Sequence, residues 1–302
     1  MTIKRTLSKT FRGDLIHPEE GILSPLLTEV FDRREELALC IRDGYINIYY
    51  MGGNLLHVKP YASGEKYKGT IDEKYEYAGE NPVVIDSLEK AWEVARTFDA
   101  RIAAMDEKNV GKPTEEKKFQ QSLFSANHDG KFVVVDMEVQ MPRELAKEIF
   151  RGDPRCPKCR PRFDMVGLIA GSDGSYRPAL IENKWGGNSL SGPCGLAQHA
   201  YKMARFICHQ SGAWQKYLDK LWAQATLMQQ LDLITLLPHS RIDRDCPPEI
   251  TFMLGGIAEL SPRIEKDIKR EISGIAGRPI AIKKKFWNGT TDYRYNDDGI
   301  EL

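Results

Sequence analysis

Two charged residues stand inside an apolar segment near the middle of the sequence, where they could do chemistry. Residues 179–187 read ALIENKWGG and carry Glu182 and Lys184 two positions apart. Successive side chains of a strand alternate between its faces, so these two side chains would share one face. An earlier apolar segment, RFDMVGLIA, carries the single carboxylate Asp164. If the two segments form a hairpin around GSDGSY, Asp164 comes opposite the charged pair.

Carboxylates on adjacent strands in apolar surroundings repel one another and have raised pKa values unless a cation lies between them. Mg²⁺ prefers oxygen ligands and is usually held by one or two carboxylates together with phosphate oxygens of a substrate. The pattern therefore predicts a Mg²⁺ or Mn²⁺ site that hydrolyses a phosphodiester bond. The alternative is that Glu182 and Lys184 form an exposed pair at a strand edge, which contributes little to stability.

This arrangement resembles the PD-(D/E)XK nuclease superfamily, whose signature is an aspartate on one strand and a (D/E)-x-K tripeptide on the next. The matching residues are Asp164 and the tripeptide Glu182-Asn183-Lys184. The resemblance covers roughly residues 113–285 and implies a restriction-endonuclease-like αβββαβ core, with a mixed central sheet flanked by helices. It implies a metal bound by Asp164, Glu182 and the main-chain carbonyl of Asn183. Lys184 would orient the attacking water or help to deprotonate it.

Three further residues match looser parts of the family pattern. Glu138, in VVVDMEVQMP, resembles a glutamate that some members place just upstream of the aspartate strand. Gln198 resembles a glutamine on the helix after the third strand, and Glu116 is similar to the glutamate of the first helix. The resemblance thus implies catalytic roles for Glu138 and Gln198 beside those of the aspartate and the tripeptide. Phe163 stands where the family's nominal proline would be.

The tripeptide alone is a weak signal, because similar tripeptides occur elsewhere in the chain. They are DEK at 72–74 and 106–108, EEK at 115–117, EKK at 116–118 and DIK at 267–269. Those five lie in polar or helical sequence. The ENK tripeptide lies inside an apolar strand, downstream of a second strand that carries one carboxylate, which is the context the family pattern requires.

The elements around these residues divide the chain into two predicted parts. Residues 1–110 form an N-terminal β-rich module, with a β-meander over 36–61, a polar connector over 62–84 and an amphipathic helix capped by Ser87. We interpret the meander's tyrosines, at 45, 49 and 50, as structural, although they could stack on bases. Residues 111–302 form the nuclease-like α/β domain.

The predicted elements of the second part follow the αβββαβ order with additions. They begin with a helix over 115–127, a strand over 131–142, a short helix at 143–150, and strands over 162–170 and 177–185. Helical sequence over 195–234 follows and is broken near Ser211-Gly212. The last elements are a strand over 249–258, a helix over 261–274, and a strand over 280–287 that an Asn288-Gly289 turn extends into a terminal hairpin.

Charge and composition limit the partners. The 302 residues include 43 basic and 43 acidic side chains, so that the formal net charge is zero and any polyanion site must be a local patch. The phosphate-contact candidates are the run IKKKFWNG and six basic residues around the loop before Asp164: Lys147, Arg151, Arg155, Lys158, Arg160 and Arg162. The histidines at 128, 199 and 209 are assigned no role.

The cysteines and the N-terminus indicate the compartment. Six cysteines are too sparse for a disulfide scaffold, the N-terminal sequence is polar, and no segment approaches the ~18 apolar residues that span a bilayer. We expect a soluble cytoplasmic protein. Cys156 and Cys159 have zinc-ligand spacing, but a single pair is weak evidence for a zinc site, which needs four ligands. Free thiols in an ordinary loop are therefore favoured over a zinc site.

The functional hypothesis is a Mg²⁺-dependent DNA endonuclease. Restriction or another prokaryotic defence role, and a homodimer that cuts both strands, are implied by analogy with the family. The alternative is a non-catalytic nucleic-acid-binding or scaffold protein on the same fold, assembled through the tyrosine meander. RNA is a third, weaker possibility, because a carboxylate site for a divalent metal does not distinguish 2′-OH from 2′-H.

Overall fold

The computed structural model of the protein describes residues 2–61, 66–156, 160–187, 190–192, 194–275, 277, 279–287, 292–295 and 300–302. The chain divides into two compact units. The meander unit comprises Lys4–Ser125 and Ala223–Ile234, and the site unit comprises Met1–Ile3, Ala126–Trp222 and Thr235–Leu302. The units therefore change over at Ser125, beyond the predicted boundary at residue 110, and a short later segment belongs to the meander unit.

The meander unit contains an antiparallel sheet whose strands lie in sequence order. They are β1 (Leu37–Ile41), β2 (Ile46–Tyr50), β3 (Gly53–Pro60), β4 (Tyr67–Thr70) and β5 (Val83–Ile85). The predicted three-stranded meander is confirmed. The predicted connector is wrong over β4 and β5, because the apolar faces of these short strands are buried. Tyr49 and Tyr50 are also buried, in agreement with their structural interpretation.

Helices also belong to the meander unit. They are α1 (Lys9–Ile16), α2 (Ser24–Asp32), α3 (Leu88–Arg96), α4 (Phe98–Asn109) and α5 (Glu115–Ala126). The first two were not predicted, although Ser8 caps α1 by accepting a hydrogen bond from the Phe11 N–H (3.1 Å). Ser87 caps α3 as predicted, but the single predicted helix is two helices that meet at Thr97.

The site unit contains a mixed sheet. Its strands are β6 (Phe132–Gln140), β7 (Arg162–Ala170), β8 (Ser175–Trp185), β9 (Arg241–Ile242), β10 (Glu249–Gly255), β11 (Ala281–Trp287) and β12 (Ile300–Glu301). Their order is β12-β11-β10-β8-β7-β6, with β9 paired to β8. The strands β6, β7 and β8 are antiparallel neighbours, whereas β10 runs parallel to both β8 and β11. The predicted α/β class with a mixed sheet is confirmed.

The helices of the site unit follow the sequence pattern closely. They are α6 (Arg143–Ile149), α7 (Leu196–Cys208), the first part of α8 (Ala213–Gln230) and α9 (Pro262–Ser273). The chain turns between α7 and α8 at Gly212, whose positive φ of 67° suits glycine. The predicted turn at Asn288-Gly289 lies outside the described residues. No helix in the described part of the chain is long and apolar enough to cross a membrane.

A second feature of the mixed sheet is a buried carboxylate at the start of β10. The side chain of Glu249, on β10, is fully buried. Its Oε2 lies 3.0 Å from Arg177 Nη2 and 3.5 Å from Lys283 Nζ. Its Oε1 accepts hydrogen bonds from the hydroxyls of Thr251 (2.5 Å) and Tyr295 (3.2 Å). Two cations and two hydroxyls therefore compensate the loss of water around this carboxylate.

We predict that Glu249→Ala destabilises the site unit by about 3–5 kcal/mol, because it leaves two cations without their shared counter-ion inside the protein. Urea unfolding measures the change. The matched control is Glu259→Ala at an exposed position, which should change the free energy of unfolding by less than about 0.5 kcal/mol. Equal effects of the two substitutions would contradict a structural role for the Glu249 cluster.

Candidate active site

Three carboxylates of the site unit, Glu138, Asp164 and Glu182, lie on the neighbouring strands β6, β7 and β8 near one end of the sheet. They are called here the acidic group. The ladder between β7 and β8 ends at the pair Met165 and Ile181, so Asp164 and Glu182 are the next residues of the two strands. On the other side of β7, the pairing of β6 places Glu138 opposite Asp164. The backbone register therefore brings together side chains that are far apart in sequence.

The pairing between β7 and β8 ends where the charged residues begin. The Asn183 N–H donates a hydrogen bond to the carboxylate Oδ2 of Asp164 (3.0 Å). A side chain of β7 thus accepts a hydrogen bond from the main chain of β8 just beyond the last paired residues. This bond fixes the carboxylate of Asp164 beside the predicted tripeptide.

Glu182 is held by two basic side chains. Its Oε1 lies 2.7 Å from Lys184 Nζ, and its Oε2 lies 2.7 Å from Nδ1 of His199, on α7. Glu182 is 0% exposed and Lys184 is 6% exposed. The alternative prediction of an exposed strand-edge pair is therefore wrong. A buried pair of this kind is costly to break, because either partner alone would be an uncompensated charge.

The surroundings of Asp164 favour its neutral form. Burial of the carboxyl group raises the pKa of Asp164 well above its ordinary value of 3.8, and the negative charge of Glu182 raises it further. The ammonium of Lys184 and the N–H of Asn183 act in the opposite direction, and Glu138 adds a smaller increase. The carboxylates of Glu138 and Glu182 thus both raise the pKa of Asp164, which lies between them.

Glu138, on the edge strand β6 of the mixed sheet, has an unusual backbone conformation. Its φ of 54° is in the left-handed region, which a glutamate rarely adopts. Its Oε2 lies 2.8 Å from Nη1 of Arg162, whose side chain is 59% exposed. Arg162 and Asp164 are two positions apart on β7 and share a face. The acidic group is therefore bordered by one exposed cation.

The structure separates Gln198 from its neighbour His199. Gln198 lines a cleft with Lys202 and Arg270, on α9, whereas His199 contacts Glu182. Successive residues of a helix are rotated by about 100°, so the two side chains point in different directions. The predicted catalytic role of Gln198 has no support in these contacts. The sequence alone predicts no role for His199. Its position next to Gln198 on the predicted helix could have indicated that it lies near the site.

Glu116, for which the family resemblance predicts a role, belongs to α5 in the meander unit. Tyr201, on α7, donates a hydrogen bond to Asp153, and the guanidinium of Arg155 lies 3.6 Å from the centre of its ring. Tyr201 therefore fixes the loop that follows α6.

The proposed zinc pair is only partly described. Cys156 is buried and free, and Cys159 lies outside the described residues. Within the described ranges, three or more His, Cys, Asp or Glu side chains do not group in a way that could hold a metal ion. The acidic side chains around the ends of β7 and β8 offer carboxylate oxygens. These oxygen donors fit a hard cation such as Mg²⁺, which needs only one or two protein carboxylates.

The raised pKa of Asp164 predicts a pH-dependent gain in stability for Asp164→Asn. A folded-state pKa above the unfolded value means that folding takes up a proton, so wild-type stability falls as the pH rises from about 4 through the raised pKa. Asparagine keeps an acceptor for the Asn183 N–H and does not titrate. In chelator, we expect the variant to melt higher than the wild type at about pH 8, by about 2–4 °C for each kcal/mol.

The same substitution should have little effect at about pH 4, where Asp164 is protonated in the folded state and only about half ionised in the unfolded state. Thermal melting across this pH range measures the difference between the two proteins, so that titrations elsewhere in the chain cancel. A variant that is less stable than the wild type at about pH 8 would show that the ionised carboxylate stabilises the fold and would contradict the raised pKa.

Comparison of the chain with protein-family models, with curated proteins and with solved structures gives no match. The chemistry of the site is therefore inferred from its own side chains. These are a buried carboxylate held by a lysine and a histidine, a second carboxyl group with a raised pKa, and a third one paired with an exposed arginine.

Proposed function

We propose that the chain is a divalent-metal-dependent endonuclease that hydrolyses DNA phosphodiester bonds at the ends of β7 and β8. The observation that carries the proposal is the buried contact between Glu182 and Lys184 beside the carboxyl group of Asp164. A carboxyl group whose pKa is raised by a neighbouring carboxylate is poised to release its proton when a cation arrives. Such perturbed groups concentrate at functional sites.

The order of elements supports the same proposal. Helix α5 of the meander unit and strands β6, β7 and β8, helix α7 and strand β10 of the site unit occur in this order along the chain, with α6 after β6 and with α8 and β9 after α7. The first three strands are antiparallel neighbours and β10 is parallel to β8. This agrees with the restriction-endonuclease-like αβββαβ core that the sequence resemblance implies, and that core is part of the proposal.

The proposed chemistry assigns a role to each central side chain. Asp164, Glu182 and the main-chain carbonyl of Asn183 would hold the metal. Bound Mg²⁺ or Mn²⁺ would supply a Lewis acid that polarises the phosphate and lowers the pKa of a water. Lys184 would leave its contact with Glu182 to orient the attacking water and to offset negative charge that develops on the phosphate. His199 would keep the carboxylate of Glu182 in place as the lysine moves.

A second candidate function is a non-catalytic nucleic-acid-binding or scaffold protein. One observation favours it: each carboxylate oxygen of Glu182 lies 2.7 Å from a basic group of the same chain. The charge of Glu182 is thus compensated without a metal, as the charge of Glu249 is. Metal binding and cleavage distinguish the two candidates.

We predict that Mg²⁺ or Mn²⁺ stabilises the wild type and has no such effect on Asp164→Asn or Glu182→Gln. Ligand linkage gives about 2.7 kcal/mol at a free metal concentration 100-fold above the dissociation constant. Thermal melting with metal or EDTA measures the shift. Glu259→Gln, at an exposed position, is the matched control and should respond as the wild type does. An equal response of all four proteins would place any bound metal elsewhere.

We predict that Lys184→Met lowers the rate of DNA cleavage about 10²–10³-fold, the usual effect of removing one charge-stabilising group. Methionine keeps an apolar stem at this buried position and removes the ammonium. Plasmid DNA, single-stranded DNA and RNA should be incubated with Mg²⁺, Mn²⁺ or EDTA. Lys266→Met, on the exposed surface of α9, is the control and should retain full activity.

The substrates and the chelator separate the remaining alternatives. Cleavage that persists both in EDTA and in Lys184→Met would exclude this site as the active centre. Preferential cleavage of RNA would keep the site and change the substrate class. A folded wild type that cleaves none of the substrates would favour the non-catalytic candidate.

A further inference from the structure

A large basic cleft lies beside α6 in the site unit. It has a volume of about 1250 Å³. Its lining includes four cationic side chains, two carboxylates and several uncharged residues: Arg143, Lys147, Arg151 and Arg160; Glu144 and Glu148; Ala146, Phe150, Gly152, Cys156 and His209. Small-molecule pockets usually have about 300–1,000 Å³ and are mostly apolar. The size and the charged lining of this cleft, called here the α6 cleft, therefore suit part of an anionic polymer.

The cations of the α6 cleft are available to a ligand. Arg143, Lys147, Arg151 and Arg160 are all exposed. Lys147 contacts Glu144 at 2.8 Å, but both side chains are 58% exposed. A surface pair of this kind is worth little, so a phosphate can replace the carboxylate at small cost. The excess of positive charge is local, because the chain as a whole has a net charge of zero.

The other predicted phosphate-contact candidates already make contacts within the protein. On β11, Lys283 lies near Glu249, Lys284 pairs with Glu265, and Lys285 lies over the ring of Trp287. Arg155 is held by Asp153, Glu271 and Tyr201. Lys158 lies outside the described residues. The α6 cleft is thus the better candidate for a polyanion.

The β6 and β7 backbones connect the α6 cleft to the acidic group. Beyond the last residues of β6, the Met141 N–H donates to the Pro161 carbonyl (2.8 Å), and Arg160 Nε donates to the Met141 carbonyl (3.3 Å). Arg162 follows on β7, and Asp164 lies about 7 Å further along the strand. Cations therefore line the path from the cleft to the candidate active site.

We propose that the α6 cleft binds the phosphodiester backbone of the nucleic acid on one side of the bond that is cleaved. This inference rests on the proposed function and extends it by naming the surface that holds the substrate. The contacts would be to phosphates, which give affinity and register without reading the base sequence. The binding energy from the cleft would position the scissile phosphate beside Asp164 and Glu182.

The test compares two variants of the full chain that lose the same charge. The cleft variant is Arg143→Gln, Lys147→Gln, Arg151→Gln. The control variant is Arg263→Gln, Lys266→Gln, Lys269→Gln, which alters three exposed cations of α9. Binding of fluorescent DNA in EDTA, where no metal-dependent cleavage occurs, is measured over a range of salt concentrations.

The salt dependence counts the phosphate contacts. The logarithm of affinity falls with the logarithm of salt concentration by about 0.7–0.9 for each contact. We expect the cleft variant to bind at least about tenfold more weakly at low salt. Its slope should be shallower than that of the wild type by about 2 to 3, because three phosphate contacts are lost. The control variant should match the wild type. Equal affinities and slopes for the cleft and control variants would overturn the inference.

Competition and cleavage separate the remaining outcomes. Polyglutamate with the same number of charges should displace DNA poorly, and displacement as strong as that by unlabelled DNA would instead indicate an acidic protein as the partner. If the wild type cleaves DNA and the cleft variant binds normally, this inference fails while the proposed function stands. If Lys184→Met retains activity and the cleft variant binds weakly, the proposed function fails while the cleft remains a nucleic-acid site.

Discussion

The structure of the site unit depends on the compensation of one buried negative charge. Glu182 is 0% exposed and lies on β8, whose neighbouring strands β7 and β10 are almost wholly apolar. A carboxylate removed from water in this way must be paired, and the pairing requires Lys184 on the same strand and His199 on the next helix. The position of α7 against β8 and β10 is therefore an electrostatic requirement as well as a packing one.

The strands and helices that carry the site could be predicted from the sequence because their patterns are local. The predicted strand over 162–170 coincides with β7, and the helical break at Ser211-Gly212 separates α7 from α8. Alternation within a strand also placed Glu182 and Lys184 on one face. These features depend on neighbouring residues alone, whose periodicity the sequence displays directly.

Long-range pairing is what the sequence could not supply. The contact between His199 and Glu182 depends on how α7 is rotated over the sheet, and a rotation by one residue would have presented Gln198 instead. The Glu249 cluster likewise gathers side chains from β8, β10, β11 and the segment before β12. The polar sequence of α1 has only two buried residues and a weak periodic signal, whereas α2 has Pro25 in its first turn and Leu26 and Val30 four positions apart, a helical pattern that the prediction missed.

The two buried glutamates differ in their surroundings, and the difference supports the proposed role of the carboxyl group of Asp164. Glu249 has cations and hydroxyl donors around it, and its cluster is complete. At the other end of the sheet, Asp164 adds a second carboxyl group beside Glu182, and burial together with the negative charge of Glu182 raises its pKa more than the ammonium of Lys184 and the N–H of Asn183 lower it. A structural cluster gains nothing from such an acid, whereas a site for a divalent cation requires it. The cation would take the place of the missing positive charge and release the proton, so that metal affinity would increase with pH.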